Sequence, residues 1–254
     1  MINLYAAKWI KTVRNFGDTV NPFLVTSLTG KPSQFTLNRK VKRYMVSGSV
    51  LHHADKNCEV WGSGLISYNA IPIRKPKVFY AVRGPRTHLM LKEHRIVTPE
   101  VYGDPVLLFP RIYNPTVEKK YEVGIIPHYA DKDSLWVKKV SKNKNVKVID
   151  IQHKNFKEMI NDVLSCNIIL SSSLHGVVIG DAYNVPSHWI SLSEKVKGKG
   201  FKFADYYASV NRFCFLRTVS EETRLSSILN GFDNYEVDID LEPLIKSCPF
   251  GEIK

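Results

Sequence analysis

The sequence lacks long apolar runs, and this absence excludes several classes of protein. No stretch of its 254 residues approaches the roughly 20 consecutive apolar residues that a membrane-spanning helix needs. The first residues do not combine a basic region with an apolar core, so we expect no signal peptide. The single Asn-X-Thr triplet, Asn114-Pro115-Thr116, is blocked as a glycosylation acceptor by its proline. These absences predict a cytoplasmic protein that reaches a membrane only peripherally, at the inner face of the plasma membrane.

Cysteine is scarce, and its spacing carries no metal signature. The four cysteines are widely scattered, without a CxxC pair or a metal-ligand spacing to histidine. We therefore predict reduced structural thiols and no metal site. The glycines of Gly62-Ser63-Gly64 lack the third glycine of a dinucleotide-binding fingerprint, so they do not indicate NAD. The sequence predicts no cofactor.

Acidic residues are fewer than basic ones, 24 against 36, which points to anionic partners. The formal net charge is +12, and lysines cluster at residues 138–157 and 195–202. Such clusters suit phosphorylated substrates, an anionic membrane surface or nucleic acid, although a solvated basic face is the commoner origin of any one cluster. No RNP-like aromatic motif, zinc finger or recognition helix accompanies the charge, so we expect no nucleic-acid partner.

Strands and helices alternate along the chain. With 44% hydrophobic residues the chain is globular and long enough for two domains. The polar residues 111–120 form the predicted boundary, which gives domains 1–115 and 116–254. Alternation of this kind implies right-handed βαβ units and parallel sheets. The predicted fold class is α/β with two Rossmann-like domains, in which ligands bind at the carboxyl ends of the strands.

The individual elements follow from hydrophobic periodicity and from turn residues. Predicted strands cover residues 44–49, 59–61, 77–82, 121–126, 146–150, 168–170, 188–191 and 213–216. Predicted helices cover residues 87–95, 132–139, 156–165 and 174–184, with a further helix beginning at Ser220 and a last one over 236–246. An additional helix is predicted to have Asn21 as its N-cap, Pro22 in its first turn and Gly30 as its stop.

One stretch, residues 167–184, organises the prediction of function. A short apolar strand runs into three serines and then into a helix, with Ser173 as the predicted N-cap. His175 and Gly176 would lie in the first helical turn, where free amide hydrogens and the helix dipole favour an anion. An imidazole beside such a site suits proton transfer. A histidine that simply packs at the strand-to-helix corner is an equally weighted alternative.

Ionisable side chains also follow other predicted strands. Arg83 ends one strand, and its planar fork suits a carboxylate or phosphate, with an ordinary ion pair as the alternative. Asp104 follows a strand-end turn, and we favour turn capping over chemistry for it. His128 follows the strand over 121–126. Because the carboxyl ends of parallel strands meet at one edge of a sheet, these groups are candidates for a binding site.

The chain resembles the polysaccharide pyruvyl transferase family, particularly its short bacterial exopolysaccharide members. Seven motifs occur in family order and span nearly the whole chain: Asn15-Phe16-Gly17-Asp18, Gly62-Ser63-Gly64, Val82-Arg83-Gly84-Pro85, Tyr102-Gly103-Asp104-Pro105, Gly124-Ile125-Ile126-Pro127-His128-Tyr129, Ser171-Ser172-Ser173-Leu174-His175-Gly176 and Phe201-Lys202-Phe203-Ala204-Asp205-Tyr206-Tyr207. The resemblance implies a GT-B-like arrangement of two Rossmann-like halves with an interdomain cleft. It also implies transfer of a pyruvyl group from phosphoenolpyruvate to two hydroxyls of a sugar, with release of phosphate.

The resemblance also implies roles for single residues. His175 matches the proposed catalytic histidine of the family. The implied phosphoenolpyruvate-binding residues are Arg83, Lys202, Ser173, Leu174, Gly176 and Arg86. The implied acceptor-binding residues are Asn15, Asp18, Gly64, Asp104 and His128. Many relatives have arginine where this chain has Ser173, so the serine, with Arg86 or one of Lys195, Lys197 and Lys199, would have to replace that anion contact.

The implied partners are phosphoenolpyruvate, a glycan acceptor attached to a lipid diphosphate, and an anionic membrane surface; assembly into a homo-oligomer stays open. Two alternatives accompany the family interpretation. A nucleotide-sugar glycosyltransferase would use the same fold, because fold does not fix function. A non-catalytic glycan-binding relative is the other, and the arginine missing before Leu174 is its only support.

Overall fold

The computed structural model describes residues 1–7, 15–72, 74–232 and 235–253. The chain divides into two compact units. The first comprises Met1–Ile112, Gly198–Cys214 and Asp238–Lys254, and the second comprises Tyr113–Lys197 and Phe215–Val237. The chain first passes between the units three residues from the predicted boundary. The division differs from the predicted one in that two later segments pack with the first unit.

Ten strands and nine α-helices are present in the described residues. The strands are β1 (Ile2–Tyr5), β2 (Ser33–Thr36), β3 (Arg43–Met45), β4 (Cys58–Trp61), β5 (Val78–Ala81), β6 (Tyr121–Ile126), β7 (Val146–Val148), β8 (Cys166–Ser171), β9 (Ser187–Ser191) and β10 (Arg217–Thr218). The helices are α1 (Phe16–Thr19), α2 (Asn21–Thr29), α3 (Pro85–Glu93), α4 (Leu135–Val140), α5 (Phe156–Leu164), α6 (Leu174–Ala182), α7 (Phe201–Ser209), α8 (Leu225–Leu229) and α9 (Glu242–Lys246). Short 3-10 helices cover Leu51–His53, Pro105–Arg111 and Tyr129–Asp131.

The first unit contains a parallel five-stranded sheet in the order β2-β1-β3-β4-β5. Its strands are short, and every residue of β3 and β4 is buried. The strand order reverses between β1 and β3, which makes their carboxyl ends the topological switch point of this sheet. Loops after β1 and β3 therefore lie where ligands bind in doubly wound folds.

The second unit repeats this architecture. Its parallel sheet has the order β10-β9-β8-β6-β7, so its switch point lies between β6 and β8. The buried side chains Val123, Ile125, Leu170 and Ile190 form part of the core of this unit. The predicted α/β class with two parallel sheets is confirmed, and each sheet has the strand order of a doubly wound, Rossmann-like domain.

The start of α2 differs from the prediction, whereas its end agrees. Val20 is the N-cap and Asn21 is already helical. The Asn21 side chain instead donates to the carbonyl oxygens of Gly17 (3.2 Å) and Ser47 (3.1 Å), and it accepts from the Ser47 amide (2.9 Å). Asn21 thus links the helix to the loop after β3. Gly30 ends the helix with φ of 70°, as predicted, because glycine adopts this left-handed conformation without steric cost.

Three C-terminal predictions are wrong. The predicted strand over 213–216 is irregular, with Phe213 86% exposed, and the short strand β10 forms instead just after it. The helix expected from Ser220 begins only at Leu225, after a turn in which the Ser220 amide bonds to the Thr223 hydroxyl. The last helix begins at Glu242 and not at residue 236, because Pro243 fits only the first turn of a helix.

Helices long and apolar enough to cross a membrane do not occur in the part of the chain that the structure describes.

Candidate functional site

In the second unit, the loops that follow β6, β8 and β9 are joined through one buried carboxylate. Asp131, in the 3-10 helix after β6, accepts a hydrogen bond from the Ser172 hydroxyl at 2.6 Å. Its other oxygen accepts from the hydroxyl of Ser193, which follows β9. The Ser172 oxygen in turn accepts from the backbone amide of His128 at 2.8 Å. Asp131 therefore fixes the carboxyl edge of this sheet at its switch point.

The sequence prediction named His128 but missed Asp131 and Ser193. The signal available was an aspartate five residues after a buried strand, in the run from His128 to Asp133, together with serines after two neighbouring strands. Serine hydroxyls and a carboxylate at the ends of adjacent parallel strands are expected to meet. What the pattern could not tell was that the carboxylate is 3% exposed and accepts its hydrogen bonds from the protein.

The turn between β8 and α6 is built around Ser171. Its hydroxyl lies 2.8 Å from the carbonyl oxygens of Ile126 and Ser173 and accepts from the Ser173 amide at 3.0 Å. Gly176 packs directly on this group: a Cβ at position 176 would lie 2.2 Å from the Ser171 oxygen. Glycine is thus required here for close approach of helix and strand, a role that is independent of any ligand.

His175 lies in the first turn of α6, as predicted, and is 4% exposed. Ser173 is the N-cap residue but makes no side-chain capping bond. The first amide groups of a helix lack acceptors within the helix, and the dipole adds partial positive charge there. The imidazole therefore stands at an end of α6 suited to an anion, at the carboxyl edge of the sheet where ligands of this fold class bind.

In the first unit, Arg83 forms a fully buried ion pair with Asp205. Its three side-chain nitrogens each donate a hydrogen bond: Nε to Asp205 Oδ2 at 2.9 Å, Nη1 to Ser49 Oγ at 2.6 Å and Nη2 to the Leu65 carbonyl at 2.7 Å. Neither side chain of the pair is exposed to solvent. Asp205 also accepts from the amide and the hydroxyl of Thr87, both at 2.7 Å. The pair ties α7 to β5 and α3.

Two glycines make room for this ion pair. A Cβ at Gly64 would lie 2.5 Å from Arg83 Cζ, and one at Gly84 would lie 2.1 Å from the Asp205 carbonyl oxygen. Both positions therefore need glycine for steric reasons. Three of the seven family-like motifs, around Gly64, Arg83 and Asp205, meet at this ion pair, so part of the family signature encodes a packing feature of this unit.

Lys202 lies one helical turn before Asp205 on α7 and is 8% exposed. Its Nζ lies 5.6 Å from the centroid of the Phe203 ring. Residues three apart on a helix share a face, so the bonds made by Asp205 also fix the position of Lys202. The buried Lys202 and the Asp205 member of the buried ion pair thus lie on one helix of the first unit.

The other predicted residues of the first unit fall at different places. Asp104 caps the 3-10 helix that follows it, accepting from the Val106 amide at 3.1 Å, which confirms the predicted capping. Asn15 precedes α1, and its buried Oδ1 accepts no hydrogen bond from any residue in the described ranges. Asp18 borders a cavity of about 10 Å³, which holds one water at most. Arg86 is exposed and reaches the Tyr68 hydroxyl at 3.4 Å.

The thiols are free, and two of them are buried. Cys58 and Cys166 form no disulfide. Burial raises the pKa of both, that of Cys166 to about 11, so these thiols stay protonated at neutral pH and are poor nucleophiles. Among the described residues, no three side chains of His, Cys, Asp or Glu converge in a way that could hold a metal ion.

Comparison with known proteins relates this chain to a protein family. Residues 70–194 match the family model described as polysaccharide pyruvyl transferase, a range that contains Arg83, Asp104, His128 and His175. The chain is also similar to the uncharacterized protein L143 of Acanthamoeba polyphaga mimivirus, with 29% identity over 253 residues, covering 93% of this chain and 85% of the relative. The resemblance inferred from the sequence motifs is thereby confirmed, as a match to the polysaccharide pyruvyl transferase family model over residues 70–194.

Proposed function

We propose that this protein transfers a pyruvyl group from phosphoenolpyruvate to two hydroxyls of one sugar in a surface polysaccharide of the bacterial type. The observation that carries the proposal is the family match over residues 70–194, which includes His175 in the first turn of α6. An imidazole can both give and take a proton, which suits a general acid or base. Phosphoenolpyruvate is the only group that the reaction requires besides the acceptor, so the proposal includes no cofactor and no metal.

The reaction joins one carbon to two sugar oxygens. The methylene carbon of phosphoenolpyruvate takes up a proton, and the first hydroxyl adds to the neighbouring carbon and loses its own proton. The bond from that carbon to the phosphate oxygen then breaks, releasing phosphate. The second hydroxyl adds in its place and loses its proton, which closes the ketal. Two protons leave oxygen: one goes to carbon and the other leaves with the phosphate, so a group that shuttles protons fits these transfers.

His175 is the proposed proton shuttle. Of the amides at the start of α6, those of Ser173 and Gly176 already donate within the turn, so the remaining first-turn amides and the helix dipole would bind an anionic group of phosphoenolpyruvate. Ser173 stands where many relatives have arginine, and its hydroxyl makes no capping bond to α6. We therefore propose that the Ser173 hydroxyl and these amides together take over the anion contact of the arginine.

Lys202 is the proposed cation for phosphoenolpyruvate in the first unit, and Arg83 is proposed to position it. Every side-chain nitrogen of Arg83 already donates to the protein, and the side chain is fully buried, so a substrate would reach it only by displacing a residue that now contacts it. Losing a partner of a buried charge is costly. Arg83 can serve phosphoenolpyruvate binding without such a loss if it acts through Asp205 and α7 on Lys202.

The acceptor is proposed to be a glycan carried on a lipid diphosphate. The unmatched acceptor atom of Asn15 supports a sugar contact, because sugar hydroxyls donate hydrogen bonds. Asp18, which lies in α1, is the second residue that we propose to contact the sugar acceptor. The basic cluster over 138–157 supports a peripheral encounter with an anionic membrane, which sedimentation with phosphatidylserine and with phosphatidylcholine vesicles would test. Equal sedimentation with both would contradict it.

The proposed chemistry is tested by phosphate release from phosphoenolpyruvate in the presence of a panel of nascent glycans. We expect His175→Ala to lower the rate at least about 100-fold, the range typical of a lost general acid or base, and to leave the dissociation constant for phosphoenolpyruvate within about threefold. His153→Ala, at a partly exposed histidine of the same unit that contacts Glu158, is the matched control and should keep the full rate.

If the His175→Ala protein keeps most of its rate, the proposed catalytic role of His175 is wrong. Glycosyl transfer from a nucleotide sugar, without consumption of phosphoenolpyruvate, would replace the proposed reaction as a whole.

A further inference from the structure

A cleft of the first unit is lined by none of Arg83, Lys202 and Asp104. It has a volume of about 640 Å³ and is bordered by the end of β1, the start of β3 and the loop around Asp55. This volume is in the range of clefts that bind small molecules. None of its lining residues was predicted from the sequence to have a function.

The cleft carries an excess of positive charge. Four cationic side chains line it, Arg39, Arg43, Lys56 and Arg74, against the single carboxylate of Asp55. Arg39 Nε and Arg43 Nη2 both contact the same oxygen of that carboxylate, at 3.0 and 2.6 Å. One carboxylate thus neutralises one of the four cations, and an excess of three positive charges remains on the walls.

Arg43 supplies the strongest indication of a ligand site. Its side chain is 2% exposed, and its Nε has no hydrogen-bond partner in the described part of the chain. A buried donor without an acceptor costs on the order of 1–3 kcal/mol. The Arg43 guanidinium thus contacts Asp55 through Nη2, while its Nε–H donor is unmatched. Such a guanidinium is suited to a planar or tetrahedral oxyanion, which arginine binds with two parallel hydrogen bonds.

Aromatic rings complete the cleft. The rings of Tyr5 and His53 are stacked at 14° with their centroids 6.2 Å apart, and the rings of His52 and His53 are 3.8 Å apart. Arg43 Cζ lies 6.0 Å from the Tyr5 ring. The flat ring faces therefore lie beside the guanidinium, as needed for a ligand with a charged end and a ring-shaped body.

We propose that this cleft binds a phosphate monoester of a sugar, with the phosphate on Arg43, Arg39 and the nearby cations and the sugar ring against Tyr5 and His53. The phosphate chemistry follows from the arginines and the unmatched donor, and the preference for a sugar phosphate over free phosphate follows from the rings. The inference does not depend on pyruvyl transfer, because none of its residues has a role in the reaction proposed above.

The test is isothermal titration of the full-length protein with glucose 1-phosphate, and separately with inorganic phosphate. We expect glucose 1-phosphate to bind more tightly than phosphate. The triple variant Arg39→Gln/Lys56→Gln/Arg74→Gln should weaken glucose 1-phosphate binding at least about tenfold, since each lost charge-assisted contact costs part of the roughly 1.4 kcal/mol that a factor of ten represents. The three residues are exposed, so the variant is expected to fold, which its melting temperature without ligand checks.

Two controls separate this site from the proposed reaction site. Lys92→Gln removes an exposed charge on α3, outside the cleft, and should leave binding unchanged. His175→Ala should also leave it unchanged. Binding lost in His175→Ala but kept in the triple variant would overturn the proposal, and so would the absence of binding to both probes at millimolar concentration. Binding of phosphate as tight as that of glucose 1-phosphate would overturn the part that assigns a sugar.

Discussion

At the scale of single residues, the Arg83–Asp205 pair explains why several motif residues occur together. Sequence reasoning assigned Arg83 to substrate because a cation at a strand end suits an anion. It could not identify the internal anion, because Asp205 lies 122 positions further along the chain. A buried charge is retained only with a partner, and here the partner stands inside a second motif.

This pair gives a prediction for stability. Asp205→Asn leaves the guanidinium of Arg83 buried without a counter-charge, so we expect the free energy of unfolding to fall by about 3–5 kcal/mol. Urea unfolding followed by circular dichroism measures it. Asp133→Asn, at a side chain that is 96% exposed, is the control and should change stability by less than about 0.5 kcal/mol. Equal stability of the two variants would show that the ion pair does not contribute to the free energy of unfolding.

Asp55 gives a prediction for pH. Burial acts to raise its pKa, but the hydrogen bonds from Arg43, Asn57 and Arg39 outweigh burial and lower the pKa to about 2, from 3.8. A carboxyl group with a lowered pKa stabilises the folded state above its unfolded pKa, and this stabilisation is lost as the pH falls from about 4 to 2. The lowered pKa corresponds to about 2 kcal/mol.

The measurement is urea unfolding of wild type and Asp55→Asn at a series of pH values. We expect Asp55→Asn to be less stable at pH 6 and to approach wild type as the pH falls toward 2. A constant difference between the two proteins across this range would contradict the assignment of the lowered pKa to Asp55.

At the scale of elements, the sequence predicted the second unit better than the first. The strand over Tyr121–Ile126 has the predicted bounds, and α6 begins at the predicted Leu174, because short apolar runs and a serine-rich turn mark them. β1 and β2 were not predicted, since their partly buried segments contain polar residues and form no continuous apolar run. Residues 8–14, which follow β1, lie outside the described ranges.

The contact between α6 and β8 predicts the effect of adding one methyl group. Gly176→Ala would bring a Cβ to 2.2 Å from the Ser171 oxygen, so helix or strand must shift, at a cost of about 1–3 kcal/mol. Ser171→Gly removes the obstructing side chain. The double variant should therefore lose less stability in urea unfolding than the sum of the two single variants. Strict additivity would mean that the two residues do not collide.

At the scale of the whole molecule, the proposed site residues fall in both units. His128 and His175 belong to the second unit, whereas Asn15, Arg83 and Lys202 belong to the first. The return of residues 198–214 to the first unit could not be predicted from a boundary rule, because it depends on the distant Arg83–Asp205 bond. Among the motif residues, Arg83 and Asp205 form a buried ion pair that supports packing, whereas the role of His175 in the chemistry stays a prediction.

Charge is also distributed in a way that the sequence alone does not show. In the second unit, Lys132, Lys138 and Lys147 contact Asp150, Asp133 and Asp162 at 2.8, 3.7 and 3.1 Å. The basic cluster over 138–157 is thus partly neutralised. In the first unit, the cleft around Arg43 keeps its excess of positive charge on walls that enclose a volume of ligand size, which a count of lysines does not reveal.

The most direct test of the central claim is thermal melting with phosphoenolpyruvate, compared with UDP-, GDP- and CMP-sugars. A ligand that binds only the folded state raises the melting temperature. Phosphoenolpyruvate alone should raise it in wild type and in His175→Ala, and should fail to do so in Lys202→Gln, whose melting temperature without ligand checks that it is folded. A rise with a nucleotide sugar and none with phosphoenolpyruvate would contradict pyruvyl transfer and the role given to Lys202.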